Sequence, residues 1–236
     1  MFENYGYCHC CDSPVSFVAR NEWWRDHYLC ARCGCLPRER ATMYCIEKFF
    51  PEWRKAVLHE SSPTLLRGPS VRFRKEVPHY IPTYYFPDTL PGTTERGYRC
   101  ENLERLTFAD NSIDLHVTQD VFEHILDPRA AFREIARTLK PGGAHLFTVP
   151  LVNKNAPTRF CATRNRDGSI AQLVDPPKYH GDPLSTEGSL VTVNWGYDIT
   201  QHIFEACGLF TEMVWIDALE LGIRAECIEV LITRKA

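Results

Sequence analysis

The sequence predicts an α/β domain built on a mainly parallel sheet, preceded by a small cysteine-rich module. Three observations carry this expectation. Strand-like, turn-like and helix-like stretches alternate through the body of the chain. Six of the 11 cysteines fall within the first 35 residues. The length of 236 residues suits one full-sized domain plus an appendage.

Composition narrows the function classes. Hydrophobic residues make up 44% and charged residues 24%, which excludes disorder for the bulk of the chain. The 27 Lys+Arg against 30 Asp+Glu leave a net charge of −3, which argues against general nucleic-acid binding. No run reaches the ~18–20 apolar residues of a membrane span. The opening Met1-Phe2-Glu3-Asn4-Tyr5 lacks a basic-then-apolar export pattern, so a cytoplasmic setting is the expectation.

The front module, residues 1–37, holds two pairs, Cys8-x2-Cys11 and Cys30-x2-Cys33, separated by 18 residues. Each CxxC turn aims two sulfurs at one point, and two such turns supply the four thiolates of a tetrahedral zinc site. Cys8, Cys11, Cys30 and Cys33 are the expected ligands; Cys10, Cys35 and His9 are neighbours with a poorer bite. Four protein sulfurs leave no open position, so this zinc would be structural, standing in for a core that so short a segment lacks. No βαβ pattern surrounds the pairs, which disfavours a redox CxxC. Arg20, Arg25, Arg32, Arg38 and Arg40 are expected as a solvated basic face.

The main domain is expected over residues 38–236. Residues 38–50 read as a helix, with Ala41, Tyr44, Cys45 and Phe49 near one face and Pro51 as its stop. Residues 56–60 read as a short buried strand ending at Ser61-Ser62-Pro63. Residues 113–118 alternate with period two. Asp127 then makes a good N-cap, Pro128 suits the first helical position, and Phe132, Ile135, Ala136 and Leu139 trace a helical stripe. Lys140-Pro141-Gly142-Gly143 ends that helix, and residues 145–149 start another strand. Residues 150–190 carry several prolines and little periodicity, and a loop so long inside a compact domain is usually functional. A helix over 199–207 ends at Gly208, and strands over 213–216 and 227–233 close the reading. The five cysteines in this body, Cys45, Cys100, Cys161, Cys207 and Cys227, are expected as reduced, small apolar residues.

The stretch Leu106-Thr107-Phe108-Ala109-Asp110-Asn111-Ser112-Ile113-Asp114-Leu115-His116-Val117 resembles a signature of the class I S-adenosylmethionine-dependent methyltransferases, type 11-like, which reads approximately LPFxDxSFDLVV. It continues as Gln119-Asp120-Val121-Phe122-Glu123-His124, similar to xxVLEH. It then reaches Glu134-Ile135-Ala136-Arg137-Thr138-Leu139-Lys140-Pro141-Gly142-Gly143, similar to EIxRVLKPGG. The match is contiguous over about forty residues. Weaker resemblance covers 56–236, and the cysteine module lies outside it.

This resemblance implies a Rossmann-like seven-stranded methyltransferase fold, with a small zinc-ribbon-like module in front and S-adenosylmethionine over the carboxyl ends of the strands. By position, Glu60 matches the acidic residue that ends the first strand, and Ser61 and Ser62 stand in its cofactor loop. Asn102 and Leu103 match adenine contacts, and Gln119, Asp120 and Val121 line the pocket around the sulfonium. The family's glycine-rich turn is replaced by Glu60-Ser61-Ser62-Pro63-Thr64. Asp88 is a candidate for the ribose-binding acid.

His124 lies just past the fourth strand, and imidazole suits a general base at neutral pH. Tyr179-His180-Gly181-Asp182-Pro183 could form a substrate-facing lid that brings His180 to the site, or a tight surface turn. Trp195-Gly196-Tyr197-Asp198 could stack on substrate or simply pack. The expected activity is methyl transfer to oxygen or nitrogen of a small molecule or sugar. The alternatives are a non-catalytic scaffold on the same fold, or other chemistry on the cofactor such as intramolecular displacement.

Overall fold

The computed structural model describes residues 1–64, 66–182 and 185–236. The chain opens with an antiparallel three-stranded sheet, β1 (Phe2–Cys8), β2 (Ser13–Ala19) and β3 (Tyr28–Cys30). The four-residue helix α1 (Trp24–His27) precedes β3. Helix α2 (Pro37–Phe49) starts on a proline at its first position and stops before Pro51, close to the expected bounds.

The main sheet is assembled from β4 (Val57–Ser61), β5 (His79–Tyr84), β6 (Thr94–Glu95), β7 (Tyr98–Cys100), β8 (Ile113–Gln119) and β9 (Leu139–Thr148). Helix α3 (Pro69–Glu76) links β4 to β5, and α4 (Pro128–Thr138) links β8 to β9. After β9 come the short strands β10 (Arg159–Phe160), β11 (Ala162–Arg164), β12 (Ile170–Gln172), β13 (Tyr179–Asp182), β14 (Ser185–Leu190) and β15 (Val193–Asn194). Helix α5 (Ile199–Cys207), β16 (Thr211–Val214) and β17 (Val230–Arg234) complete the chain. The order across the sheet is β16-β17-β9-β8-β4-β5-β7-β6. β4, β5, β7, β8 and β9 run parallel, whereas β17 is antiparallel between β9 and β16.

Eight strands replace the seven expected, because the two-residue β6 folds back on β7 as an extra edge. The stretch 150–190, expected without regular structure, is stitched into antiparallel pairs β10–β15, β11–β12 and β13–β14. Pro183 of the candidate lid lies outside the described residues. The closing strands sit at 211–214 and 230–234 rather than 213–216 and 227–233; Cys227 adopts φ 54°, which breaks extended pairing before Val230. The caps behave as the sequence suggests: the Asp127 side chain accepts from Ala130 N at 3.0 Å, and Gly208 closes α5 at φ 74°.

Alternation along β9 and β17 sends side chains to two faces. Leu146 and Ile232 pack with Ala41, Met43 and Ile46 of α2 and Phe73 of α3. Phe147 and Leu231 pack with Phe132 and Ile135 of α4 and Ile199 and Ile203 of α5. The first core also contains Cys8, Val15, Phe17 and Tyr28, so the cysteine module is continuous with the main hydrophobic layer. Its attachment is close: a Cβ on Gly6 would lie 2.1 Å from the Glu220 carbonyl oxygen, on the 3-10 turn Leu219–Leu221.

Three histidines cross the sheet interior. His59 Nδ1 and His116 Nδ1 share a proton at 2.7 Å, and His59 Nε2 meets Thr83 Oγ1 at 2.8 Å. His116 Nε2 meets Thr138 Oγ1 at 2.9 Å, and His145 Nε2 meets Thr118 Oγ1 at 3.0 Å. Burial pushes His59 and His145 down to about 3, and His116 well below its ordinary value, so all three are neutral. Among the described residues no helix is long and apolar enough to cross a membrane.

Candidate active site and its cysteine-module neighbour

Parallel strands that end side by side create a crevice at their carboxyl edge, and strand order reverses here between β4 and β8. Glu60 and Ser61 end β4, and Gln119 ends β8. Glu60 is fully buried. Ser70, in the first turn of α3, donates to its Oε1 at 2.8 Å, and the Tyr80 phenol donates to its Oε2 at 2.6 Å. Gln119 Nε2 stands 3.5 Å from the same Oε1. Burial raises the Glu60 carboxyl to about 7 against these donors. An open cleft of about 480 Å³ on the β5 face shares Tyr80 with this group.

The glycine-free turn keeps a glycine's geometry. Ser62 adopts φ 55°, in the left-handed region, and its N–H donates to the Thr83 carbonyl at 2.8 Å. The Tyr84 hydroxyl holds the Pro63 carbonyl. Asn102 and Leu103 follow β7; Asn102 Oδ1 accepts from Glu104 N at 2.9 Å, and Leu103 is buried. Asp88 lies exposed in the turn after β5.

Asp120 also has a positive φ, 52°, and its carboxylate is already engaged. Arg25 Nη2 donates at 2.8 Å and Arg38 Nε stands at 2.7 Å. Burial would raise this carboxyl, but the Arg38 and Arg25 guanidiniums outweigh it and hold it below its usual range. This corrects the expectation of a solvated basic face for three of its five arginines; Arg20 and Arg32 are exposed as expected. Arg25, Arg38 and Arg40 point inward, and Arg40 donates to the carbonyls of Gly222, Tyr28 and Cys35.

An S-adenosylmethionine molecule carries a cationic sulfur and ammonium together with polar ribose and adenine groups, so a pocket for it needs acidic and hydrogen-bonding atoms left over. Gln119 Oε1 is buried without a partner among the described residues, next to a carboxyl that burial keeps from ionising fully. Beside the glycine-like turn at Ser62, these residues fit the cofactor. Asp120 contributes no spare charge, because two arginines already satisfy it.

Val121 leads into the 3-10 turn Phe122–His124. His124 Nδ1 lies 2.8 Å from the Leu190 carbonyl and therefore carries the proton, leaving the Nε2 lone pair available. Its ring meets that of His180 edge-on, 5.2 Å between centroids, so the β13–β14 hairpin does bring the two candidate histidines together. Trp195 is buried and its Nε1 donates to the Phe122 carbonyl at 3.2 Å, so it packs. Tyr80, Ser70, Arg25, Arg38 and Glu123 were missed by sequence reasoning. Only Ser70, behind Gly68-Pro69 at a helix start, carried a local signal.

In the front module the Sγ atoms of Cys8, Cys11, Cys30 and Cys33 all lie within 4.8 Å of one another. Cys8–Cys33 and Cys11–Cys30 are each 3.9 Å apart. Sulfurs held at ~2.3 Å around a tetrahedral zinc are separated by ~3.8 Å, so the four fit such an ion. The hydrogen bond from Cys33 is the largest influence in lowering Cys30 to about 6, favouring a thiolate. Cys10 and Cys35 also crowd Cys8, with Cys35 at 3.4 Å, but burial keeps both as thiols. His9 is occupied elsewhere, against Glu47.

Residues 88–147 match the model of a methyltransferase domain family. A 67-residue stretch is 39% identical to the uncharacterised protein YafE of Escherichia coli K12, covering 28% of this chain. The match spans only about 30% of that curated relative's length. An S-adenosylmethionine-dependent methyltransferase from Mesorhizobium loti superposes with a TM-score of 0.51 at 15% identity, covering 82% of this chain and 96% of that one. The fold is that of an S-adenosylmethionine-dependent methyltransferase.

Proposed function

We propose that the protein is an S-adenosylmethionine-dependent methyltransferase acting on an oxygen or nitrogen of a small-molecule or sugar acceptor in a cytoplasmic, thiol-reducing setting. The observation that carries this is the buried Glu60 beside Gln119 Oε1, which has no partner among the described residues, at the carboxyl edge where strand order reverses. When bound, the cofactor supplies a methyl group activated by its sulfonium.

The protein's own residues then have three tasks. Glu60, Ser61, Ser62, Gln119 and Val121 form the cofactor edge, with Asn102 and Leu103 beyond β7. Thr192 and Trp195, on either side of β15, hold the carbonyls of Glu123 and Phe122 and so fix the Phe122–His124 turn. The Nε2 atom of His124, with His180 alongside, serves the acceptor atom that must lose its proton. The front module is read as a structural zinc knot on Cys8, Cys11, Cys30 and Cys33, with residues 1–37 and 38–236 as the two units and 150–190 facing substrate.

Calorimetry with S-adenosylmethionine on the full chain tests this reading. Binding by wild type and at least ten-fold weaker binding by Glu60→Gln is expected; no binding by folded wild type would overturn it. The arginines already seated on Asp120 favour one second reading, a scaffold that no longer turns over. Recovery of S-adenosylhomocysteine after incubation with acceptors excludes that reading, and methylthioadenosine alone would point to intramolecular displacement.

A further inference from the structure

The turn after β8 carries a second group of polar side chains that the cofactor edge does not use. Glu123 is only 2% exposed, yet neither carboxylate oxygen has a hydrogen-bond partner among the described residues. An ionised carboxylate left so costs several kcal/mol unless a cation compensates it. Two imidazole nitrogens stand around it without bonding to it. His180 Nδ1 is 3.6 Å and His124 Nε2 3.8 Å from Glu123 Oε1, both beyond hydrogen-bond length. One ligand atom from each of the three residues falls within 4.8 Å of the others.

We infer that Glu123, His124 and His180 form a binding site for a divalent first-row transition-metal ion, separate from the cysteine module. Ligand atoms held at ~2.0–2.1 Å around a tetrahedral ion are ~3.3 Å apart, so closing 3.6 and 3.8 Å onto an ion takes only a few tenths of an ångström. The donor set, two imidazoles and one carboxylate, suits zinc, cobalt or iron(II).

The site is also braced. The Leu190 carbonyl accepts the His124 Nδ1 proton, which directs Nε2 at the ion. The Thr192 N–H fixes the Glu123 carbonyl at 2.7 Å, and Trp195 fixes that of Phe122. Three protein ligands leave at least one position open, and the half-exposed His180 turns that side toward solvent. The open position takes water or an oxygen or nitrogen donor. The inference rests on the acceptor-side reading above and sharpens it: the ion, rather than the His124 lone pair, would lower the pKa of a coordinated acceptor.

The test uses the full chain, loaded with zinc, freed of excess metal and titrated with Co(II). One further equivalent is expected, giving a visible ligand-field band without sulfur-to-metal charge transfer. Glu123→Gln and His180→Ala should each weaken this binding by about 10-fold or more, with unchanged circular dichroism, and Cys30→Ser should retain it. His180 sits on an exposed hairpin, so its variant keeps the test valid if Glu123→Gln fails to fold. Absence of the band, or a band lost in Cys30→Ser but kept in His180→Ala, would overturn the inference. So would nitrogen NMR showing His124 as an imidazolium paired with Glu123 and no cobalt affinity. S-adenosylmethionine calorimetry is a separate readout, so failure of the methyltransferase reading and failure of the metal site remain distinguishable.

Discussion

Acidification from pH 7 to pH 5 should destabilise this protein through its interior histidines, and replacing His145 by glutamine should remove a definable share of the loss. His59 and His145 are held near 3 by burial. The unfolded chain therefore takes up their protons first as pH falls through about 6.5, so their contribution is present above that pH and declines below it. With folded values near 3, each histidine costs about 2 kcal/mol between pH 7 and pH 5. His116 is displaced in the same direction and adds to the loss. Glu60 works the other way. Its carboxyl, raised to about 7, is protonated in the fold before it is in the unfolded chain, and it returns about 2 kcal/mol over the same interval. The salt-bridged carboxylates Asp120 and Glu47 titrate below this window. A net loss is expected, and His145→Gln, which can still meet Thr118, should reduce it by about 2 kcal/mol. Urea unfolding of both proteins at the two pH values measures this. Parallel pH dependences for wild type and variant would refute the neutral-histidine account.

Three further outcomes are expected. S-adenosylmethionine binding should tighten as pH rises from 6 to 8 and release a proton, because a cationic ligand favours ionised Glu60; calorimetry in two buffers of different ionisation enthalpy reports the proton, and Glu60→Gln should abolish it. Gly6→Ala should cost about 2–4 kcal/mol, since its Cβ would lie 2.1 Å from the Glu220 carbonyl oxygen; thermal melting tests this. Cys30→Ser should lose one equivalent of zinc and lower the melting temperature, and full zinc retention would refute the ligand assignment.

What the sequence made legible was local. The Asp127 cap, the Gly208 stop and the α2 boundaries each depend on a few adjacent residues; the first two are where the sequence places them and α2 is displaced by one residue. The sulfur cluster was equally readable, because CxxC spacing encodes its own geometry. The strands β5 to β7 were not. Pro78, Pro82, Pro87 and Pro91 interrupt any alternation there, and these strands exist because the parallel edge of β4 accepts β5, which in turn pairs with β7, and β7 with β6. Inward arginines were invisible for a related reason. A guanidinium reads as solvated until its acceptors are known, and those of Arg25 and Arg40 come from as far away as Cys227 and Gly222. Of the two candidate histidines, His124 could be found from its strand, whereas its pairing with His180 needs a hairpin that composition does not reveal.

Arg40 sets a timetable for the chain. Its guanidinium closes on carbonyls of Tyr28 and Cys35, both already made when it leaves the ribosome, and on Gly222, which lies 182 residues further along. The cysteine segment thus finishes packing only once synthesis has reached Gly222. In the interval, Phe17 and the Gly6 edge of β1 lack the cover that the Leu219–Leu221 turn provides. Early capture of an ion by the cysteines would keep that exposed segment compact while it waits.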